Sequence, residues 1–223
     1  MAEVITANNL TLQYSKGNPI IKNATFSLSS NEVIIITGES GSGKSTLLKS
    51  FYGEIEITSG RLNVCYSEMK GIKKRALMNL RRDIGVVFQD YRLINEWSIE
   101  KNIMLPLIIA GRSKGLCMEQ AKKLLKHISL SHKMGRYPYE LSGGEQQRVA
   151  VVRAMANNPP ILLCDEPTGN LDELSSDIIW KLLYSAKISW GACVVVVTHK
   201  KPSALMFPHR HFEIKDGVVH EIY

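Results

Sequence analysis

The chain has 223 residues, 44% of them hydrophobic and 22% charged, with a formal net charge of +7. That length holds one sizeable α/β domain with an inserted subdomain rather than two independent domains, and the balance is that of a globular protein without repeats or low-complexity tracts. Cys65, Cys117, Cys164 and Cys193 stand far apart with no CxxC pair, which reads as reduced thiols rather than a disulfide framework or a metal site.

In chain order, the opening segment "EVITANNLTLQYSKGNPIIKNATFSLSSNE" alternates apolar and polar residues, with turn signals at Lys16 to Pro19 and Ser29 to Asn31. It predicts short antiparallel strands. It carries neither a basic leader nor a sustained apolar stretch, so no signal peptide is expected and the site of action should be the cytoplasm or the cytoplasmic face of a membrane. A buried strand is predicted at Val33 to Thr37, then a glycine loop, then a helix from Lys44 to about Tyr52 and another buried strand at Ile84 to Phe88.

The positive charge is spread out except at "KGIKKRALMNLRR", Lys70 to Arg82. A solvated helix face is the simpler reading of that run, with nucleic acid and anionic lipid as the other meanings of such charge. From about Arg92 to Arg153 the spacing turns helical, as with Ala121, Leu124, Leu125 and Ile128 on one face. The run "IMLPLIIAG" is broken by Pro106 and falls short of the roughly 20 residues that span a bilayer. Buried strands return at Ile161 to Asp165 and Ala192 to His199, separated by a helix in which Leu174, Ile178 and Leu182 recur every fourth residue. The end, "HRHFEIKDGVVHEIY", reads as a hairpin turning at Asp216-Gly217, with His209, His211 and His220 as surface residues.

"GESGSGKST" fits G-x-x-x-x-G-K-[ST] in full, after a strand and opening a helix. In that context Gly38, Glu39, Ser40, Gly41, Ser42, Gly43, Lys44, Ser45 and Thr46 are expected to cradle a nucleotide's phosphates, with Lys44 as a point charge and Ser45 as a Mg²⁺ ligand. "ILLCDE" supplies Asp165 for the magnesium shell and Glu166 to act on water; two adjacent acids after a buried strand are costly to ionise unless a cation lies between them. These elements alone suit many nucleotide-binding enzymes, small kinases included.

Further motifs narrow the choice. With "LSGGE" at Leu141 to Glu145, Gln89 in "VVFQD", "GNLD" at Gly169 to Asp172 and His199 in "VTHK", all in order, the whole chain resembles the nucleotide-binding subunits of ATP-binding cassette (ABC) ATPases. The resemblance implies an α/β fold of P-loop NTPase type, with a mixed-sheet core and antiparallel β subdomain over about 1–91 and 154–223 and an inserted helical subdomain over about 92–153. It implies ATP and Mg²⁺ as cofactors, with Tyr14 stacking on adenine, Lys44 on the phosphates, Gln89 sensing magnesium and the attacking water, Glu166 as general base and His199 on the γ-phosphate. Ser142, Gly143, Gly144 and Glu145, with Asp172, would complete the nucleotide site of a second copy in an ATP-dependent homodimer. Two departures stand out: Asn31 where the family usually has glycine, and "GNLD" for the commoner "SALD".

Within the family, "RRDIGVVFQDYRLINEWSIEKNIMLPLIIAGR" and the signature region look most like bacterial cell-division ATPases, with lipoprotein-release and macrolide-efflux ATPases as cousins. That implies a peripheral subunit on the cytoplasmic side of the inner membrane, bound to a polytopic membrane protein, with no nucleic acid. The partner's coupling helix would dock between Gln89 and Ile109; equally, "IMLPLII" reads as plain helix core. A soluble nucleic-acid-binding switch using Lys70 to Arg82 is the third reading, for which affinity should fall steeply with salt.

Overall fold

The computed structural model describes residues 2–14, 17–199, 205 and 207–222. Lys16 of the expected first turn and Lys200 of "VTHK" lie outside the described residues. In chain order the elements are β1 (Glu3–Leu12), β2 (Ile21–Ser29), β3 (Val33–Gly38), α1 (Lys44–Phe51), β4 (Ile57–Val64), β5 (Ser67–Glu68), α2 (Lys74–Leu80) and β6 (Ile84–Val87). Then come α3 (Ile99–Ile109), α4 (Lys114–His127), α5 (Gly143–Met155), β7 (Ile161–Asp165), α6 (Glu173–Trp190), β8 (Cys193–Val197), β9 (Arg210–Lys215) and β10 (Val218–Ile222).

Two sheets form. One is antiparallel, in the order β2-β1-β4-β5; the other runs β10-β9-β3-β8-β7-β6, parallel from β9 to β6 with β10 added antiparallel. The β9–β10 turn has Asp216 at φ 52° and Gly217 at φ 79°, the positive pair that lets a two-residue hairpin follow the strand twist.

The apolar strands β3, β7 and β8 are buried on both faces, and their period of two divides the interior. Val33, Ile35, Leu162, Cys164, Val194 and Val196 join a core with α3, α4, α5 and α6. Ile34, Ile36, Ile161, Leu163, Val195 and Val197 join a second core with α1 and the antiparallel sheet. The loops at the strands' carboxyl ends therefore emerge at the edge of two packed cores.

Asn31 adopts φ 61° and donates its N–H to the Gly191 carbonyl at 2.8 Å. The left-handed turn survives the loss of glycine because asparagine tolerates that region.

Three sequence readings change. Leu174 and Ile178 are 79% and 41% exposed, while α6 buries Ile179, Trp180, Leu182, Leu183 and Ala186; the sheet fixes the helix's rotation, and a fourfold recurrence alone does not say which stripe faces it. Strand β4 was not foreseen. Its short alternation is interrupted by Gly60, at φ 77°, where any Cβ would overlap the Asn9 carbonyl at the bulge between β1 and β4. His209 and His211 are half-buried rather than at the surface, with His209 Nδ1 3.0 Å from the Phe207 carbonyl and His211 Nε2 2.8 Å from Thr37 Oγ1, while His220 is exposed.

Candidate active site

The phosphate-loop motif lies between β3 and α1. Gly43 is the residue before α1, at φ 105°, and a Cβ there would stand 2.7 Å from Ile20 Cγ2. No side chain caps α1, so the N–H groups of its first turn keep their positive end available for an anion. Lys44 is buried and its Nζ donates to the carbonyls of Gly38 and Glu39, both at 2.9 Å. Tyr14 is 49% exposed, with its hydroxyl 3.3 Å from Thr46 Oγ1, so its ring borders the mouth of the loop.

Across the sheet, β7 ends on Asp165, and the Ser45 hydroxyl donates to its Oδ1 at 2.9 Å. Burial holds the Asp165 carboxyl above its ordinary range, against the Ser45 hydrogen bond and with added repulsion from Glu166. Glu166 takes φ 48°, a strained conformation for a side chain of its size. The strain is held by the Glu166 N–H donating to the Val197 carbonyl at 2.9 Å and by the Gly169 N–H donating to the Glu166 carbonyl at 3.2 Å. Glu166 Oε2 lies 3.0 Å from His199 Nδ1, just after β8. Gln89 is exposed two residues beyond β6, whose Val87 pairs with Cys164 next to Asp165.

The LSGGE residues lie elsewhere. Ser142 caps α5: its Oγ accepts from the Glu145 N–H at 3.3 Å, and its own N–H donates to Glu145 Oε2 at 2.9 Å. Burial works the other way, yet the Ser142 N–H and Lys133 hold the Glu145 carboxyl below its ordinary range. A Cβ at Gly144 would meet Ser175 Oγ at 3.3 Å, so the turn abuts the start of α6 rather than the phosphate loop. Asp172 caps α6, accepting from the Ser175 N–H at 2.8 Å and the Ser175 hydroxyl at 2.7 Å. The structure thus brings Tyr14, Lys44, Ser45, Asp165, Glu166 and His199 around one loop and sets Ser142 to Glu145 and Asp172 in a second cluster.

The first cluster fits a magnesium nucleotide. Ser42 Oγ is buried in the loop with no partner among the described residues, and the hydroxyl and carboxylate of Ser45 and Asp165 are the oxygen donors that a hard cation takes. A family profile described as "ABC transporter" matches residues 21–169. The chain belongs to the ABC transporter family. The chain is 36% identical over 216 residues to the cell division ATP-binding protein FtsE of Streptococcus pneumoniae serotype 2, covering 97% of the chain and 94% of that protein. It is 40% identical over 221 residues to the lipoprotein-releasing system ATP-binding protein LolD of Aquifex aeolicus, covering 98% and 97%. Among solved structures, the dimeric ATP-binding cassette MJ0796 bound to ADP and Pi superposes with a TM-score of 0.88 at 36% identity, over 98% of this chain and 97% of that one. This is an ABC-type ATPase, and its mixed sheet with an antiparallel β part is the fold of those cassettes.

Sequence reasoning missed several polar residues that hold the ABC site together. Buried Gln147, on α5, donates to the Pro167 carbonyl at 2.7 Å, joining the signature helix to the residue after Glu166. Arg153 donates to the carbonyls of Tyr91 and Arg92, both at 2.6 Å, and burial pulls its guanidinium down to about 10. Asn102 accepts from the Ile94 N–H at 2.8 Å and donates to the carbonyls of Ile94, Trp97 and Ser98, fixing the segment after Gln89. A long polar side chain inside an otherwise apolar helix face was the available signal, because such groups are buried only with partners.

Proposed function

We propose that the chain is the FtsE-type ATPase of a bacterial cell-division complex, coupling ATP-driven pairing of two copies through the membrane protein FtsX to cell-wall hydrolysis. The observation that carries its catalytic half is the convergence of Ser45 on Asp165 at 2.9 Å with Glu166 and His199 at 3.0 Å beside them. In this reading Lys44 moves its ammonium from the loop carbonyls to the β- and γ-phosphate oxygens, and Tyr14 stacks on the base. Ser45, Asp165 and Gln89 would hold Mg²⁺, whose charge would offset the repulsion between the two acids and polarise the phosphoryl oxygens. Glu166 takes the proton of the attacking water, with His199 orienting its carboxylate and reaching the γ-phosphate.

The second cluster then serves the other copy. Ser142 and the N–H groups of Gly143 and Gly144 meet the γ-phosphate held by the partner copy's loop, with Asp172 fixing the adjoining helix start. Roughly three such donors per site, at about 1.5–3 kcal/mol each, give on the order of 9–18 kcal/mol over two sites, against about 4–15 kcal/mol for association. These ranges are close enough that closure depends on the γ-phosphate.

For the membrane partner, the supporting feature is a groove of about 630 Å³ whose lining includes Arg82, Phe88, Leu105, Pro106, Ile109 and Arg153. It lies beside the segment after Gln89, so that an inserted helix would press on residues leading to the site. No helix among the described residues is long and apolar enough to cross a membrane, so in this reading the chain sits peripherally on the cytoplasmic side of the inner membrane.

A lipoprotein-release ATPase is the second reading, favoured by the 40% identity to LolD. Replacing the native gene with the Lys44→Ala variant separates them. Cells that fail to divide, together with co-purification of a membrane protein of FtsX type, support the first; lipoproteins retained in the inner membrane support the second and would sink the first.

A further inference from the structure

The run Lys70 to Arg82 is not absorbed by the catalytic site. Between Glu68 and Asp83 inclusive there are six basic residues (Lys70, Lys73, Lys74, Arg75, Arg81, Arg82) and two acids, so 6 − 2 = +4 of the chain's +7 is concentrated there. All six are exposed, and among the described residues none of Lys70, Lys73, Lys74 and Arg75 has an acidic partner. Elsewhere basic side chains do find acids, as Lys123 with Glu119 at 2.7 Å and Arg136 with Glu140 at 2.8 Å.

The patch is held in place from below. Leu80 is buried, Leu77 packs against the core of the antiparallel sheet, and Arg81 donates to the carbonyls of Tyr52 and Gly53 at 2.9 and 3.1 Å. Met78, 54% exposed, stands among the cations. Met78, Arg81 and Arg82 also line the apolar groove, so groove and cationic face form one continuous surface.

We propose that the basic face of α2 and its flanks binds the anionic headgroups of a bilayer. The inference rests on the reading that the neighbouring groove receives a membrane-embedded partner, because a partner seated there would hold this face against the membrane. Charge concentrated beside an exposed methionine suits the boundary between headgroups and acyl chains. Nucleic acid fits less well, since residues 70–82 contain no aromatic side chain on which bases could stack.

The test is sedimentation of the full chain with vesicles of phosphatidylcholine alone and of phosphatidylcholine mixed with phosphatidylglycerol. Binding is expected only to the mixed vesicles, weakening as salt rises. At about fivefold per cation, replacing Lys70, Lys73, Lys74 and Arg75 together with Gln should weaken it by roughly 600-fold. A control replacing Lys101, Lys114, Lys122 and Lys126 with Gln changes the net charge equally and should retain most of the binding. No vesicle binding, or equal loss in both variants, overturns the proposal, as does loss in the first variant of salt-sensitive binding to an oligonucleotide with vesicle binding intact. ATP hydrolysis in solution should be unchanged in both variants, so a failure of the lipid arm leaves the ATPase reading standing, and absence of hydrolysis in the unmodified chain strikes that reading alone.

Discussion

The phosphate-loop cluster and the signature turn are both glycine-bearing helix N-termini, yet they are built in opposite ways. The first is open: α1 has no side-chain cap and Ser42 Oγ has no partner among the described residues. Its strained residue, Glu166, is pinned by backbone hydrogen bonds to the sheet. The second is closed on itself, with Ser142 and Glu145 satisfying one another's donors. An open terminus fixed by a sheet suits tight binding of a ligand; a self-capped one on a separate helical layer suits a surface that engages only when something is brought to it.

The largest effect should come at the open cluster. Glu166→Gln is expected to slow ATP hydrolysis by roughly 10²–10⁴-fold while leaving ATP bound, so that light scattering with ATP shows a dimer. A variant that stays monomeric with ATP would break the contrast, because the signature turn would then have no role in closure. Lys44→Ala should weaken ATP binding by roughly 10–10²-fold, the loss of a hydrogen bond to a charged group; unchanged affinity in calorimetry would remove the phosphate-loop assignment.

Changes at the closed cluster should be milder in stability and silent in nucleotide affinity. Ser142→Ala removes a cap worth about 1 kcal/mol and should lower Tm by roughly 2–4 °C, while Ser142→Arg should spare ATP binding and block the dimer. Loss of ATP binding in either would mean Ser142 serves its own subunit's nucleotide.

The smallest effect has the opposite sign. The folded-state pKa of Asp165 is raised, chiefly by burial, so around the ordinary carboxylate pKa the native state binds more protons than the unfolded one. The stability this contributes is present in acid, is lost as pH rises through the folded pKa, and leaves a cost at neutral pH. Asp165→Asn should therefore raise Tm at neutral pH without nucleotide, and the gain should shrink on acidification. A fall in Tm at pH 7 would show that the Ser45 hydrogen bond outweighs burial.

Much of this was written in local sequence. A strand, a glycine loop and a helix are contiguous, so "IIITGESGSGKST" specifies its own geometry, and "KDG" specifies its hairpin. The misreadings have a common cause in that neighbours absent from the local sequence decided the outcome. Leu174 and Ile178 recur at helical spacing, but only the position of the sheet selects Ile179, Leu182 and Ala186 as the buried stripe. Strand β4 exists because β1 lies beside it, and His211 is drawn inward by Thr37 at the end of β3.

By itself, then, the sequence determined the nucleotide chemistry, because residue types at fixed spacing on a strand-loop-helix unit leave the backbone few alternatives. Tertiary structure alone decided which pieces share a site. Ser45 meets Asp165 across 120 residues because their strands and helix pack on the same sheet, and Glu166 takes its strained φ because Val197 on β8 holds its N–H. It also separated the signature turn from its own chain's phosphate loop, since α5 packs on α3, α6 and β6 while α1 packs on β1, β3, β4, β7 and β8. That separation follows from burial, for each helix must cover a different face of one sheet whose alternate residues feed two cores.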